Sequence, residues 1–161
     1  MLFRSAVCCL LRPESKGFVR IKSADPREAP AINPNYLASE KDCDTMLHGL
    51  RAVRRILQAP AIQHHIAEEF EPGPACNSDD ELLDYARRRG STVYHPVSTC
   101  RMGRDSTAVV DERLRVRGFA GLRVIDASVM PSLVSGNTNA ATIMIAEKGA
   151  DMVLEDVKAR A

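Results

Sequence analysis

Apolar residues keep helical spacing in only two parts of this 161-residue chain, between Ser39 and Gly90 and again from about Thr142 to Lys158. In the first part Met46, Leu47, Leu50, Val53 and Leu57 form one stripe. Ile62, Ile66 and Phe70 form a second, and Leu82, Leu83 and Ala86 a third. Start and stop signals bracket each. Ser39 followed by Asp42 resembles a capping box with Asp in the usual Glu place. Pro60 stops the first helix and opens the second. Ser78 with Glu81 is a clearer capping box, and Gly90 ends that helix. The last helix places Ile143, Ala146, Ala150, Val153, Leu154 and Val157 on one face, read as core. Charges recur through it, so it is not a membrane anchor.

The flanking segments read as extended chain. Residues 5–11 are apolar, 12–17 carry a turn and 18–23 alternate apolar and charged side chains, which predicts a β-hairpin. Residues 32–37 read as a short edge strand or extended segment. After Gly90 come turns, then strand-like alternation over 111–118. Residues 121–126 read as a short buried strand ending in Asp126. Clustered helices between short strands give an α+β class: part of an antiparallel sheet with covering helices, plus a terminal strand and helix. The length suffices for a real core.

Composition excludes several functions. Lys and Arg total 22 against 21 Asp and Glu, a net charge of +1, so no nucleic-acid partner or anionic surface is expected. The basic clusters Arg51, Arg54, Arg55 and Arg87, Arg88, Arg89 read as solvated helix faces. Five cysteines without a CxxC pair suit free thiols in a reducing compartment, hence a cytoplasmic location, with peripheral membrane association as the alternative. No metal site is expected. Adjacent His64 and His65 point about 100° apart on a helix, and His48 is poorly matched to Cys43. The mildly apolar start, Met1 to Leu11, is too short for a membrane span and lacks a signal-peptide pattern, so it reads as a strand whose beginning is cut away.

Two polar clusters stand apart from this framework. Tyr94-His95-Pro96-Val97-Ser98-Thr99-Cys100-Arg101-Met102-Gly103 sets one histidine among stiffening residues. Some forty residues later, Ser135-Gly136-Asn137-Thr138-Asn139 leads directly into the last helix. By type alone, His95 is an ordinary turn histidine, Asn137 and Asn139 suit helix capping, and Asp126 is a strand-end acid. Cys100 reads as a small buried apolar residue.

The order HPVSTCRMG, then LRVIDASVMPSLVSGNTNAATIMIAEKGADMV, resembles the C-terminal region of the glucose–methanol–choline oxidoreductases, in their choline dehydrogenase and alcohol dehydrogenase branch. The upstream stretch LLRPESKGFVRIKSADPREAPAINPNYL is similar to the start of that region, so the resemblance covers nearly the whole chain. It implies oxidation of a small-molecule alcohol, with hydride passing to FAD. His95 matches the proton-accepting histidine, and an imidazole suits that task because its ordinary pKa of about 6.5 lies near working pH. Asn137 falls at the second position of the pair, where an amide orients the alcohol oxygen. Asp126 and Ala127 match a segment facing the ribityl and pyrophosphate part of FAD. Asn139, Ala140 and Ala141 match the stretch beside the flavin ring, and Thr142 is expected to begin the helix.

Ser98 stands where many members have glycine, and Ala141 where many have proline. The GxGxxG dinucleotide fingerprint is absent from these residues. The chain is therefore expected to be a fragment whose partner is an N-terminal FAD-binding part. Residues 1–117 would be the substrate-side region with the histidine loop. Residues 118–161 would be a strand, flavin-facing loop and helix that return to the FAD domain. The competing expectation is a truncated, non-catalytic remnant that binds no flavin alone. An exposed apolar face is expected near Leu122, Val124, Ile143 and Val153.

Overall fold

The computed structural model describes residues 5–159, so the expectation for residues 1–4 lies outside the described residues. The class is α+β. Strands β1 (Phe18–Arg20) and β2 (Ala31–Asn33) form an antiparallel pair, with helices α1 (Glu40–Leu57), α2 (Pro60–Gln63), α3 (Asp79–Arg89) and α4 (Asn139–Lys158). The chain forms two compact units, 1–93 and 94–161. That boundary follows contacts within this chain. The division expected at 117/118 concerns membership in a larger enzyme, which is a different property.

In the first unit, β1 pairs with β2 in the register Phe18 to Asn33. The predicted partner, residues 5–11, has no regular structure. Asp42 explains part of that difference. Its carboxylate accepts the backbone N–H groups of Glu14 at 2.9 Å and Ser15 at 2.8 Å, which ties the approach to β1 onto the first turn of α1. The Ser39 hydroxyl caps α1 by accepting from the Asp42 N–H, as expected. The reciprocal half of the box is missing because Asp42 faces the loop instead, while the Ser39 N–H donates to the Ser15 hydroxyl. Asp42 is only 2% exposed. Burial alone would raise its pKa, but the bonds from Ser15, Glu14 and Ser39 together outweigh it and hold the carboxyl below its ordinary value.

Helix α1 packs against α3 over buried Leu47, Leu82 and Ala86. The Ser78–Glu81 box is complete. The hydroxyl accepts the Glu81 N–H, and the Glu81 carboxylate accepts the Ser78 N–H at 2.9 Å. Acidic residues in its first turn and Arg87, Arg88 and Arg89 in its last complement the helix dipole. Arg54 is not a solvated residue as expected. Its half-buried guanidinium grips Glu69 at 2.8 Å and donates to the Gly73 carbonyl. Helix α2 ends at Gln63, and Phe70 is exposed rather than part of a stripe.

The second unit buries Val110, Leu114, Val129, Met130 and Ile145 together, with Val97, Met102, Val124, Ile125 and Met152 against them. Strand expectations for 111–118 and 121–126 reduce to isolated bridges, Val110 with Val116 and Arg115 with Arg123. Leu114 at φ +62° breaks the extended run, leaving a short hairpin in which the Val116 N–H donates to Leu122 and the Val124 N–H to Leu114. Helix α4 begins three residues before its predicted start. It buries Ile145 and Gly149, whereas Ile143, Val153, Leu154 and Val157 face outward. The stripe read as core is therefore solvent-exposed in this chain, and Ile145 and Gly149 lie on the side packed against the rest of the unit. Gly149 lies close against Ile125, and Arg113, Arg115 and Arg123 converge on Asp156, with Glu155 also paired to Arg113. Those contacts set the rotation of the helix. The exposed apolar face includes Leu122, Ile143 and Val153 as expected, but Val124 packs half-buried on the core.

Candidate functional site

Backbone bonds bring the histidine segment onto the segment preceding α4. The Cys100 N–H donates to Ser128 at 3.1 Å and the Met102 N–H to Val129 at 2.8 Å. Ser98 adds a third tie, its hydroxyl donating to the Met130 carbonyl at 2.8 Å. Ser98 adopts φ +73°, a left-handed backbone that favours glycine. The hydroxyl bond offsets the strain of carrying a side chain there. Tyr94, just before the histidine, is also left-handed at φ +60°. Non-glycine residues held in this region cluster at functional sites.

His95 is half-buried. Its Nδ1 lies 2.9 Å from the Thr138 hydroxyl, across 43 positions of sequence. Thr138 is 7% exposed and sits at the N-cap of α4. An N-cap threonine ordinarily accepts a backbone N–H from the first turn, with extended backbone. Here the backbone is helical, φ −80° and ψ −11°, and the hydroxyl makes no capping bond. It turns to His95 instead. The Thr138 carbonyl accepts both the Thr142 N–H, at 2.9 Å, and the Thr142 hydroxyl, at 2.8 Å.

The remaining expected residues divide by exposure. Asn137, Asn139 and Ala140 are exposed around Thr138, and Asp126 is exposed nearer the core segment. One Asp126 oxygen accepts the Ser128 N–H at 2.7 Å and caps the 3-10 turn Ala127–Val129. Ala127 and Ala141 are half-buried against the core. Thr142 lies inside the first turn of α4 rather than at its start, with its hydroxyl bonded to Thr138. Sequence reasoning missed Thr138 because it placed the helix start at Thr142. A threonine between two asparagines, directly before an apolar helical run, was the available signal for an N-cap.

The start of α4 is open to solvent. The first-turn N–H groups of α4 have no side-chain cap, and Asn139 and Ala140 beside them are exposed. Such an end carries partial positive charge suited to an electron-rich group. Among the described residues, no cluster of three or more His, Cys, Asp or Glu could hold a metal ion, and no helix is long and apolar enough to cross a membrane. All five cysteines are free thiols.

Comparison with known proteins gives a consistent answer. Residues 13–146 match the family model described as GMC oxidoreductase. The chain is 50% identical over 149 residues to an alcohol dehydrogenase [acceptor] of Pseudomonas putida, covering 92% of this chain and 27% of that protein. It is 46% identical over 143 residues to an oxygen-dependent choline dehydrogenase of Escherichia coli, covering 89% of this chain and 25% of that protein. The chain thus spans about a quarter of the length of the curated relatives it matches. Among solved structures, pyridoxine 4-oxidase from Mesorbium loti superposes with a TM-score of 0.81 at 38% identity, covering 88% of this chain and 28% of that one. Aspergillus oryzae formate oxidase gives 0.87 at 32%, covering 92% and 26%.

Proposed function

The chain belongs to the GMC oxidoreductase family, and from that premise we propose that it is the C-terminal catalytic part of an FAD-dependent enzyme oxidising the CH–OH group of an alcohol. One observation carries the reading: the bond between His95 Nδ1 and the Thr138 hydroxyl joins the two polar clusters. That bond engages one ring nitrogen and leaves Nε2 for the substrate proton. In the reaction, the alcohol O–H gives its proton to Nε2 while the carbon loses hydrogen with its electron pair and C=O forms. FAD, when bound, supplies the acceptor for that hydride.

Asn137 is exposed one residue before Thr138. Its amide is suited to hold the alcohol oxygen and cannot act as a base. Asn139, Ala140 and Ala141 with the uncapped end of α4 would lie along the ring, and Thr142 would brace that turn. Asp126 and Ala127 would face the ribityl and pyrophosphate portion, using the Asp126 oxygen left over from its cap. The exposed apolar side of α4, with Ile143, Val153 and Leu154, suits packing against the part that holds the cofactor. Free thiols suit a cytoplasmic enzyme.

The test is reconstitution: co-expression with the remaining N-terminal portion of the Pseudomonas putida relative, then FAD content and dye-linked oxidation of primary alcohols. His95→Ala is expected to lower turnover by about a hundredfold or more with FAD retained, and Asn137→Ala to lower it less. Equal turnover by wild type and His95→Ala would overturn the reading. A complex that holds no FAD and oxidises no alcohol would favour a non-catalytic remnant.

A further inference from the structure

We propose that Thr138 is the positioning residue of His95: its hydroxyl oxygen accepts a hydrogen bond from Nδ1–H, which keeps the ring proton on Nδ1 and leaves Nε2 unprotonated toward the substrate. This rests on the proposed role of His95 as the proton acceptor. Three features of the structure support it. The hydroxyl is buried and bonded to the ring at 2.9 Å. It makes no capping bond at the start of α4, so its hydroxyl is directed to the ring and not to the helix. The ring is reached from a strained backbone at Tyr94, so its place is set from both sides.

The chemistry gives the bond a purpose beyond stapling two loops. Neutral imidazole carries one proton, and whichever nitrogen holds it cannot be the base. A hydroxyl rotates freely and can accept from Nδ1–H. When Nε2 takes the alcohol proton, both ring nitrogens carry hydrogen, and the positive ring then needs an acceptor at Nδ1. Thr138 supplies one at a fixed place. In Thr138→Val the shape is kept, but a methyl group faces Nδ1–H. Losing a hydrogen bond to a charged group corresponds to about a ten- to hundredfold loss in rate.

Two measurements test this. The first follows the ring nitrogens of His95 by 15N NMR in the full chain, for wild type, Thr138→Val and Thr138→Ser. Wild type and Thr138→Ser are expected to hold the proton on Nδ1, and Thr138→Val to lose that preference, with backbone spectra otherwise alike. The second uses the reconstituted enzyme. Thr138→Val is expected to lower kcat about ten- to hundredfold with KM nearly unchanged, and Thr138→Ser to restore it. Identical ring signals in wild type and Thr138→Val would overturn the proposal. So would full activity in Thr138→Val, or a serine variant no better than valine. If His95→Ala stays active while Thr138→Val still moves the ring proton, the catalytic reading of His95 fails and the hydrogen-bond assignment survives. The opposite pattern removes the assignment alone.

Discussion

Gly149 fixes how closely α4 approaches the segment before it, and its replacement by alanine has a calculable outcome. A Cβ at this position would overlap Ile125 Cγ2, with Cδ1 at 3.0 Å and Cγ1 at 3.3 Å. Carbon atoms ordinarily meet at about 3.5–4.0 Å, so either Ile125 leaves its rotamer or the helix moves outward. Cγ2 is attached directly to Cβ of a β-branched side chain and cannot swing aside alone. Overpacking of this kind costs about 1–3 kcal/mol. Alanine in mid-helix gains about 1 kcal/mol over glycine. The net expectation for Gly149→Ala is roughly 1 kcal/mol of destabilisation, about 4–8 °C in Tm for a unit of this size.

The decisive comparison is in the background of Ile125→Ala, where the three obstructing atoms are gone. There the helix-propensity gain stands unopposed, and Gly149→Ala should stabilise by up to about 1 kcal/mol. Urea unfolding of the four proteins in this cycle gives the coupling directly. The same sign for Gly149→Ala in both backgrounds would refute the packing argument. Loss of α4 position should also reach the site, because α4 carries Thr138 at its N-cap. The His95 ring signals are therefore a second readout for the single variant.

Two further outcomes follow from the first turn of α1 and from the histidine loop. Because the Asp42 pKa is lowered on folding, its contribution is fully present above the unfolded value of about 3.9 and is lost as pH falls through the folded value. Asp42→Ala strands the Glu14 and Ser15 N–H groups, at about 1–3 kcal/mol each, and urea midpoints measured across acid pH should show a shallower decline than wild type. At Ser98, alanine keeps the left-handed strain and loses the bond to Met130, for about 1 kcal/mol of destabilisation. Glycine at the same position relieves about 1–2 kcal/mol of strain and should fall near wild type; alanine equal to glycine in thermal unfolding would contradict this account.

Local chemistry was legible where both partners lie within one turn of chain. Ser78 and Glu81 are three residues apart and cap α3 reciprocally, as their spacing indicates. Ser39 caps α1 for the same reason, but Asp42 turns away to a loop 27 and 28 positions distant, which spacing cannot reveal. The short segments around β1 show the same limit. Their alternation marked extended chain, and the choice of partner, β2 instead of residues 5–11, depended on where Asp42 drew the loop.

Helix α4 shows most clearly what periodicity leaves open. Ile143, Ala146, Ala150, Val153, Leu154 and Val157 form a plausible apolar face by spacing, yet the buried side carries Ile145, Gly149 and Met152. A helix with apolar residues on several sides has no preferred rotation until something packs against it. Ile125 and the arginines around Asp156 supply that constraint. By itself the sequence determined the α+β class, the Ser39 and Ser78 caps and the family, because these depend on order and short-range spacing. Only the tertiary structure decided which face of α4 is buried and that His95 meets Thr138, because both are set by contacts between segments 24 to 43 residues apart.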